Sequence, residues 1–246
     1  MNLEFTGKKV LVTGGNSAIG ICLSRVLIEE GLFPVLAVRN EQGQRAAQEE
    51  LNSLDGLFST VFFDLDDPEG PDRVFKVRES DPDYLVDLAQ TDYESLIASS
   101  SPDKSDAYLQ TNIAGRARLV RAASRSMLRK RFGRMIFVSS AAAGCPGEGQ
   151  GFYAASKQAG EALYANCALE LGARGVTAMS IRPGFVNAGR GERFLEKTGR
   201  NAKRPADVDI EDLCRATAFF LSDGAAAFNG ISVTMDHGVS FGKNRC

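Results

Sequence analysis

Short apolar segments alternate along the chain with longer segments in which apolar residues recur every three or four positions. The short segments have the length and character of buried β-strands, and the longer ones have the period of amphipathic helices. The predicted strands are KKVLVTGG, FPVLAV, STVFFDLDD, DYLVDLA, RMIFVSS, VTAMSIRPG and GISVTMD. Strands that are apolar on both faces and separated by helices indicate a parallel sheet with helices on both sides. The pattern therefore predicts an α/β fold with a doubly wound parallel sheet.

The connections between these elements show where the pattern is weakest. Segment 66–83, DDPEGPDRVFKVRESDPD, is too short and too rich in proline and aspartate for a long crossover helix. The segment SDAYLQTNIAGRARLVRAASRSMLRKR predicts one long helix that is closed by Gly133. Repeats, low-complexity tracts and linkers do not interrupt the sequence, so we expect residues 1–246 to form a single domain.

Composition and charge argue against several classes of protein. The 246 residues carry a formal net charge of -2 and a pI of about 5.6, so nucleic acids and anionic membranes are not expected partners. Apolar runs fall short of the roughly 20 residues that span a bilayer, and the amino-terminal MNLEFTGKKV does not resemble a secretory signal. A cytoplasmic protein is expected.

The cysteines and the single histidine argue against metal and hydrolase chemistry. The five cysteines are scattered and form no CxxC pair, so we expect reduced thiols, neither a disulfide framework nor a zinc site. His237 is the only histidine, which gives little support to a Ser-His-Asp triad or a His-rich metal site. We expect a structural role for His237 and no bound metal.

A glycine-rich turn follows the first predicted strand and leads directly into a helix. It reads TGGNSAIG over residues 13–20. Glycines permit a tight turn and a close approach of backbone N–H groups to a pyrophosphate, and the helix N-terminus adds a partial positive charge. Many glycine-rich turns are only turns, but a strand before and a helix after favour dinucleotide binding and a Rossmann-type sheet. The expected cofactor contacts in this turn are Gly14, Asn16, Ser17, Ile19 and Gly20.

The end of the second strand distinguishes between the nicotinamide dinucleotides. NAD-specific sites place an Asp or Glu there for the ribose 2′-hydroxyl, whereas this chain has Val38-Arg39-Asn40. An arginine can pair with a 2′-phosphate, and Asn16 and Ser17 can add hydrogen bonds. The alternative is that Arg39 is a solvated residue at a strand end. We predict NADP(H) as the cofactor.

Tyr153 and Lys157 are four residues apart in a helical segment, which places a phenol and an ammonium on one face. A nearby cation favours the phenolate and so assists proton transfer near neutral pH. Ser140 ends the fifth strand, where a hydroxyl can hold a substrate carbonyl oxygen, and its spacing from Tyr153 favours it over Ser139. A Tyr-x-x-x-Lys pair alone often occurs by chance.

These motifs resemble, in order, those of short-chain dehydrogenases/reductases, over nearly the full length of the chain. TGGNSAIG resembles the family's TGxxxGxG, LQTNIAG the helix with its active-site asparagine, and IFVSS with YAASK its serine, tyrosine and lysine. VFFDLDD resembles the strand end that contacts adenine, RPGFV the Pro-Gly turn beside nicotinamide, and FNGISVTMDHG the closing segment. An accidental match of so many ordered motifs is not expected.

The resemblance implies a carbonyl reductase. Tyr153 would protonate the carbonyl oxygen as nicotinamide delivers a hydride to the carbon, and Ser140 would orient the carbonyl. Lys157 would bind the nicotinamide ribose and favour the phenolate, and Asn112 would hold a water that links Lys157 to solvent. The expected catalytic residues are Asn112, Ser140, Tyr153 and Lys157. Outside the glycine-rich turn, the expected cofactor contacts are Arg39, Asp64, Leu65, Ala89, Tyr153, Lys157, Pro183, Gly184 and Val186.

Several positions depart from the family's pattern. Ala18 replaces the second glycine of the turn, and Ala188 stands where a threonine usually contacts the nicotinamide carboxamide. The family's strand-4 Asn-Asn-Ala-Gly is Asp-Leu-Ala-Gln at residues 87–90, and His237 replaces a glycine of the closing segment. These changes leave two interpretations: an active enzyme, or a catalytically degenerate binding scaffold of the same fold.

Within the family, the resemblance is strongest to β-ketoacyl-acyl-carrier-protein reductases, through MLRKRFGRMIFVSSAAAGCPGEGQGFYAASK. It implies reduction of a 3-oxoacyl thioester on acyl carrier protein, in fatty-acid-like or secondary-metabolite synthesis. Arg131 and Arg174 match positions that dock the carrier in those enzymes; alternatively, they are solvated helix ends. The competing interpretation is a reductase or dehydrogenase of a free small alcohol, ketone or sugar.

Two further expectations concern a lid and the assembly. Residues 187–205 are expected to form a short substrate lid anchored by Phe194 and Leu195. The resemblance implies a homotetramer or homodimer, with helices at about 106–131 and 153–173 in an interface. Apolar residues on several faces of these helices are consistent with that packing, including Leu119, Leu163 and Leu169.

Overall fold

Seven parallel strands form one sheet among the residues that the computed structural model describes, which are 2–76, 81–189, 191–192 and 207–243. Their order is β3-β2-β1-β4-β5-β6-β7. The strands are β1 Lys9–Thr13, β2 Phe33–Val38, β3 Ser59–Phe62, β4 Tyr84–Asp87, β5 Gly133–Val138, β6 Val176–Pro183 and β7 Ser232–Met235. The chain builds outward from β1 to β3 and then returns to place β4 on the other side of β1. The predicted doubly wound parallel sheet is confirmed.

Helices connect the strands and cover both faces of the sheet. They are α1 Ala18–Glu29, α2 Glu41–Glu50, α3 Gly70–Lys76, α4 Pro102–Leu109, α5 Arg116–Lys130, α6 Gly151–Leu171, α7 Ile210–Leu221 and α8 Val239–Lys243. The short α3 occupies the segment in which no long helix was expected. Most of the predicted lid, including Phe194 and Leu195, lies outside the described residues. Among the helices that are described, none has the length and apolarity to cross a membrane.

The central strands are buried on both faces because helices pack on each side. One apolar layer includes Leu85 of β4 and Tyr164 of α6, and the other includes Val12 of β1 and Leu213 of α7. The edge strands β3 and β7 are more exposed. Packing on both faces holds the carboxyl ends of the central strands side by side, and the candidate site is built on those ends.

The helix predicted over about 106–131 is interrupted. Residues Gln110–Gly115 form a π-helical turn between α4 and α5. A wider turn disturbs the regular backbone ladder, and side chains here bond the carbonyls one turn back. Thr111 Oγ1 donates to Ala107 O at 2.9 Å, and Asn112 Nδ2 donates to Tyr108 O at 2.8 Å. The prediction of one continuous helix is therefore wrong.

The end of α5 also differs from the prediction. Arg131 adopts a left-handed backbone with a φ of 53°, and its N–H donates to Leu128 O at 3.2 Å. This residue closes the helix in the position that glycine usually takes. Gly133, the predicted terminator, already belongs to β5.

Candidate active site

The predicted site residues follow the carboxyl ends of neighbouring strands. The strand order reverses between β1 and β4, and open α/β sheets bind ligands in the crevice at such a point. The glycine-rich turn follows β1, residues 87–90 end β4 and continue beyond it, and Ser140 follows β5. The fold therefore brings the predicted cofactor and catalytic segments to one edge of the sheet.

The glycine-rich turn has the geometry of a phosphate-binding loop. Gly14 has a left-handed φ of 65°, and a Cβ on Gly20 would lie 2.7 Å from the carbonyl oxygens of Gly14 and Gly15. Ser17 caps α1, since its Oγ accepts the N–H of Gly20 at 3.1 Å. Ile19 lies in the first turn of this 12-residue helix. The glycines and the helix N-terminus fit the diphosphate of a dinucleotide.

The end of β2 carries the residues expected to select the dinucleotide. Arg39 is exposed directly after β2. Asn40 caps α2, because its side chain accepts the N–H of Gly43 at 2.9 Å. The Asn16 amide lies beside the same glycine, since a Cβ on Gly43 would be 3.1 Å from Asn16 Nδ2. The Asn16 side chain therefore lies against the start of α2, which begins two residues after Arg39.

Asp64 and Leu65 lie after β3, at the next strand end. The strand ends at Phe62 instead of continuing to Asp67, because β2 ends opposite it and the Asp64 carboxylate accepts the N–H of Asp66 at 3.1 Å. Asp64 is half-buried, whereas the Leu65 side chain belongs to the core. Leu65 is 4% exposed as a whole, and its carbonyl accepts a hydrogen bond from Arg118 Nη2 at 3.0 Å. The predicted contact of Leu65 with a cofactor stays a prediction.

Tyr153 and Lys157 lie one turn apart on α6. Lys157 Nζ is 5.7 Å from the centroid of the Tyr153 ring and donates to Val138 O at 2.9 Å. Lys157 is buried and Tyr153 is half-buried. Val138 is the last residue of β5, so this hydrogen bond holds the beginning of α6 against the strand end that leads to Ser140.

The two serines after β5 have different surroundings. Ser139 is buried, and its hydroxyl donates to Glu161 Oε1 at 2.5 Å; Arg182 Nε donates to the same oxygen at 2.8 Å. Ser140 is half-buried, and its Oγ accepts the N–H of Ala142 at 3.2 Å. A hydroxyl that accepts one hydrogen bond can still donate another. The surroundings favour Ser140 as the donor to a substrate.

Alanine at each serine should separate these roles. Ser140→Ala is expected to lower kcat by about 100-fold, because a donor to the substrate carbonyl is lost. Ser139→Ala should leave kcat near that of the unmodified protein and reduce the free energy of unfolding by about 1 kcal/mol, because a buried hydrogen bond is lost. Steady-state kinetics and chemical denaturation of both variants measure this. The reverse pattern would assign the catalytic hydroxyl to Ser139.

Asn112 lies in the π-helical turn and is fully buried. Its Nδ2 donates to Thr91 Oγ1 at 2.5 Å and to Tyr108 O at 2.8 Å, and its Oδ1 accepts the N–H of Thr91 at 3.0 Å. Both hydrogens of the Asn112 amide bind groups of the protein. A water at this residue would therefore have to donate a hydrogen bond to one of the oxygens of Asn112. The predicted water relay between Asn112 and Lys157 stays a prediction.

The departure from the family's pattern at strand 4 has a counterpart in α5. Asp87 is fully buried, and Arg116 Nε lies 2.7 Å from Asp87 Oδ2. Arg116 is not among the site residues predicted from the sequence. The available signal was a cation four residues after Asn112, one turn further along the same helical pattern. The Arg116 guanidinium therefore compensates the negative charge of the buried Asp87 carboxylate.

Gln90, at the end of the same segment, supports the start of α6. Its Nε2 donates to Tyr108 OH at 2.6 Å and to Ser156 Oγ at 3.2 Å. Ser156 Oγ in turn donates to Tyr153 O at 2.8 Å. Gln90 Oε1 is buried and lacks a hydrogen-bond partner within the described part of the chain. The glutamine thus fills, with a side chain, a position where the family's pattern has a glycine.

The Pro183-Gly184 turn lies at the end of β6, as predicted, and β7 pairs with this end of the strand. The Gly184 N–H donates to Met235 O at 2.7 Å, and Val186 forms a parallel bridge with Val208. His237, two residues after β7, has a left-handed φ of 53°, which is the conformation that favours the glycine of the family's pattern. The turn therefore lies at the same sheet edge as the phosphate loop.

Arg131 and Arg174 lie at the opposite edge of the sheet. Arg131 ends α5, and Arg174 lies in the 3₁₀ turn after α6. Both precede the amino ends of strands, and the carbonyl of Arg131 contacts Gly175. The 15 residues of α5 separate Arg131 from the Asn112 end by about 22 Å. The predicted docking residues lie in one corner, but away from the crevice of their own chain.

Comparisons with known proteins agree with this arrangement. The family model described as short chain dehydrogenase matches residues 8–198. The chain is 28% identical to the 3-oxoacyl-[acyl-carrier-protein] reductase MabA of Mycobacterium tuberculosis, over 97% of this chain and 95% of that protein. It is 29% identical to the 3-oxoacyl-[acyl-carrier-protein] reductase FabG of Haemophilus influenzae, over 95% of this chain and 98% of that protein.

A solved structure has the same fold over nearly the whole chain. The short-chain type dehydrogenase/reductase from Mycobacterium ulcerans superimposes with a TM-score of 0.88 at 25% identity, covering 97% of this chain and 92% of that one. The resemblance predicted from the ordered motifs is confirmed. The chain belongs to the short-chain dehydrogenase family of oxidoreductases.

Proposed function

We propose that this protein is an NADPH-dependent reductase that converts a 3-oxoacyl thioester on acyl carrier protein to its 3-hydroxyacyl form. The observation that carries the proposal is the placement of Tyr153 and Lys157 on one face of α6, tied by the Lys157–Val138 hydrogen bond to the strand end before Ser140. The phosphate loop opens at the same edge of the sheet. Similarity to MabA and FabG supports the thioester as substrate.

The side chains act on the carbonyl oxygen in this mechanism. Bound NADPH supplies the hydride that reduces the carbonyl carbon. Tyr153 donates its phenolic proton to the oxygen, and Ser140 donates a hydrogen bond to the same atom. Lys157 stabilises the phenolate that remains and donates to hydroxyls of the nicotinamide ribose. The product is an alcohol, and Tyr153 is reprotonated from solvent.

Arg39 supports NADPH over NADH in this proposal. It is an exposed cation at the end of β2, beside the capped start of α2. An acidic residue, which would hold the 2′-hydroxyl of NADH and repel a 2′-phosphate, is missing from the Val38-Arg39-Asn40 strand end.

The proposed function is tested by NADPH oxidation with three kinds of substrate. These are an acetoacetyl group on acyl carrier protein, the same acyl group on a small thioester mimic, and a panel of free ketones. We expect the highest kcat/KM for the carrier-bound thioester. Faster reduction of a free ketone would contradict the thioester proposal. Failure to bind NADPH in a fluorescence titration would favour the degenerate scaffold.

Carrier docking is proposed at Arg131 and Arg174. Arg131→Glu and Arg174→Glu are each expected to lower kcat/KM for the carrier-bound substrate by about tenfold, because they introduce repulsion against an acidic partner. The small thioester mimic should be reduced at an unchanged rate. Arg45→Glu, at an exposed position of α2, is the charge-matched control. Equal losses on both substrates would argue against docking at this corner.

Docking at that corner would require a neighbouring subunit, because the arginines and the crevice lie at opposite edges of one chain. A homotetramer or homodimer is therefore part of the proposal. Leu169 of α6 is 82% exposed and is available for an interface, whereas Leu119 is 0% exposed and packs in its own core. Leu119 therefore does not bear on the interface, which stays a prediction. A monomer in light scattering would contradict docking in trans.

Acidic side chains beside α6 favour the second candidate, a reductase or dehydrogenase of a free small alcohol, ketone or sugar. Gln150 Nε2 donates to Glu94 Oε1 at 3.4 Å just before the helix that carries Tyr153, and Glu148 is also exposed there. Negative charge in this region would oppose an acidic carrier. The comparison of carrier-bound and free substrates distinguishes the two candidates.

A further inference from the structure

A guanidinium group lies fully buried beneath the crevice. Arg116, the first residue of α5, is 0% exposed, and so is Asp87 at the end of β4. Arg116 Nε donates to Asp87 Oδ2 at 2.7 Å, and Arg116 Cζ lies 4.5 Å from the centroid of the Phe137 ring. A buried ion pair therefore lies among the elements that form the crevice.

The other donors of Arg116 bind backbone carbonyls that belong to the crevice. Its Nη1 donates to Asn112 O at 2.5 Å, and its Nη2 donates to Ala89 O. Ala89 is an expected cofactor contact, and Asn112 is an expected catalytic residue. The planar guanidinium presents its donors in a rigid fork. Arg116 therefore holds the carbonyl of Ala89, after β4, and the carbonyl of Asn112, in the π-helical turn, in fixed positions relative to each other.

Asp87 extends the network to the phosphate loop. Its Oδ1 accepts the hydroxyl of Thr13 at 2.8 Å, and Thr13 Oγ1 accepts the N–H groups of Leu88 and Ala89, each at 3.0 Å. Asp87 Oδ2 also accepts the Tyr164 hydroxyl at 3.2 Å. Burial, together with the nearby Asp87 carboxylate, raises the pKa of Tyr164 well above its usual value, so this phenol remains a donor. Thr13 is the last residue of β1 and the first of the glycine-rich turn, so the ion pair connects this turn to β4 and α5.

Stability alone does not account for this arrangement. Burying two charges carries a desolvation cost that their attraction barely offsets, and well-packed apolar residues of similar volume often stabilise a core as well or better. A guanidinium differs from an apolar side chain in that it orients specific acceptors. Here the acceptors are carbonyls on both sides of the crevice floor.

We propose that Arg116 is a positioning residue, which sets the backbone of Ala89 and of Asn112, with Asp87 as its counter-charge. It takes over the support expected of the family's Asn-Asn-Ala-Gly segment, which residues 87–90 lack. This inference rests on the proposed function: its cofactor part needs only the binding of NADPH, and its catalytic part also needs the reduction of a carbonyl.

The test compares Arg116→Lys with the double variant Asp87→Asn/Arg116→Met. The lysine keeps the positive charge but cannot bond three acceptors in the same directions, and the double variant removes both charges together. Melting temperatures of both variants are expected to lie close to that of the unmodified protein. The Kd for NADPH, from fluorescence titration, should rise about tenfold and kcat should fall about tenfold, because the reacting groups are displaced. Arg45→Met, at an exposed position of α2 outside the helices of the expected interface, is the control and should change neither value.

Retention of both NADPH affinity and kcat within about twofold in Arg116→Lys would overturn the proposal. The expected tenfold change in Kd corresponds to about 1.4 kcal/mol. If the double variant does not fold, Arg116→Lys alone decides. If the unmodified protein binds NADPH but reduces no carbonyl compound, the proposed function fails. The change in NADPH affinity then still tests the positioning role.

Discussion

Replacing Tyr153 with phenylalanine is expected to lower kcat for carbonyl reduction by about 1000-fold, because the only proton donor proposed at the carbonyl oxygen is removed. The ring, its packing and the position of Lys157 remain. NADPH affinity should therefore change little. Stopped-flow measurement of NADPH oxidation gives the rate of the chemical step, and fluorescence titration gives the cofactor affinity.

A matched control is Tyr93→Phe. The Tyr93 ring lies 5.5 Å from the Phe152 ring, next to the proposed acid, and its hydroxyl accepts the N–H of Ser101 at 3.1 Å. Loss of that hydroxyl should leave kcat close to the unmodified value. A Tyr153→Phe variant with an undiminished rate would show that another group protonates the substrate.

Arg39→Asp is expected to reverse the cofactor preference. The substitution removes a cation and places a carboxylate at the end of β2, which repels a 2′-phosphate and can accept a hydrogen bond from the 2′-hydroxyl of NADH. The ratio of kcat/KM for NADPH to that for NADH should fall by about 100-fold, which corresponds to about 2.7 kcal/mol. Initial rates with both cofactors at a fixed concentration of thioester measure this ratio.

Arg45→Asp controls for a general change in surface charge. Arg45 is exposed on α2, as Arg39 is after β2, but it lies beyond the capped first turn. We expect the cofactor ratio of this variant to stay near that of the unmodified protein. An unchanged ratio in Arg39→Asp would mean that Arg39 is a solvated strand-end residue, the alternative raised by the sequence.

The sheet could be predicted from sequence because its central strands are buried on both faces. Such strands are short continuous apolar runs, and β2 occupies the predicted segment FPVLAV from end to end. The π-helical turn could not be predicted in this way. The hydrogen bonds from Thr111 and Asn112 to carbonyls four residues earlier also occur in α-helices, so these residue types do not distinguish the two kinds of helix.

The candidate site was predictable where its geometry is local. Tyr153 and Lys157 share a helix, so their spacing in sequence determines their relative position in space. Arg116 and Asp87 are 29 residues apart, and only the packing of α5 on β4 brings them together. An unusual aspartate in a strand-4 motif signals that a partner exists but does not say where it lies in the chain.

The left-handed residue at the end of α5 illustrates the same limit. Glycine is the residue that most often ends a helix in the left-handed conformation, and the sequence therefore predicted that Gly133 ends α5. The structure instead ends the helix at Arg131, whose carbonyl contacts Gly175 from the following βα unit. The preference of a single residue is overridden there by a contact that forms only in the folded chain.

The buried ion pair also restricts the substitutions by which this chain can diverge from its relatives. Asparagine at position 87 with an apolar residue at position 116 would give a neutral core at this point. Changing either position alone leaves one uncompensated charge in the protein interior, which is strongly destabilising. Exchange of the pair for neutral residues therefore requires both positions to change together, or a background with enough spare stability to tolerate the single change.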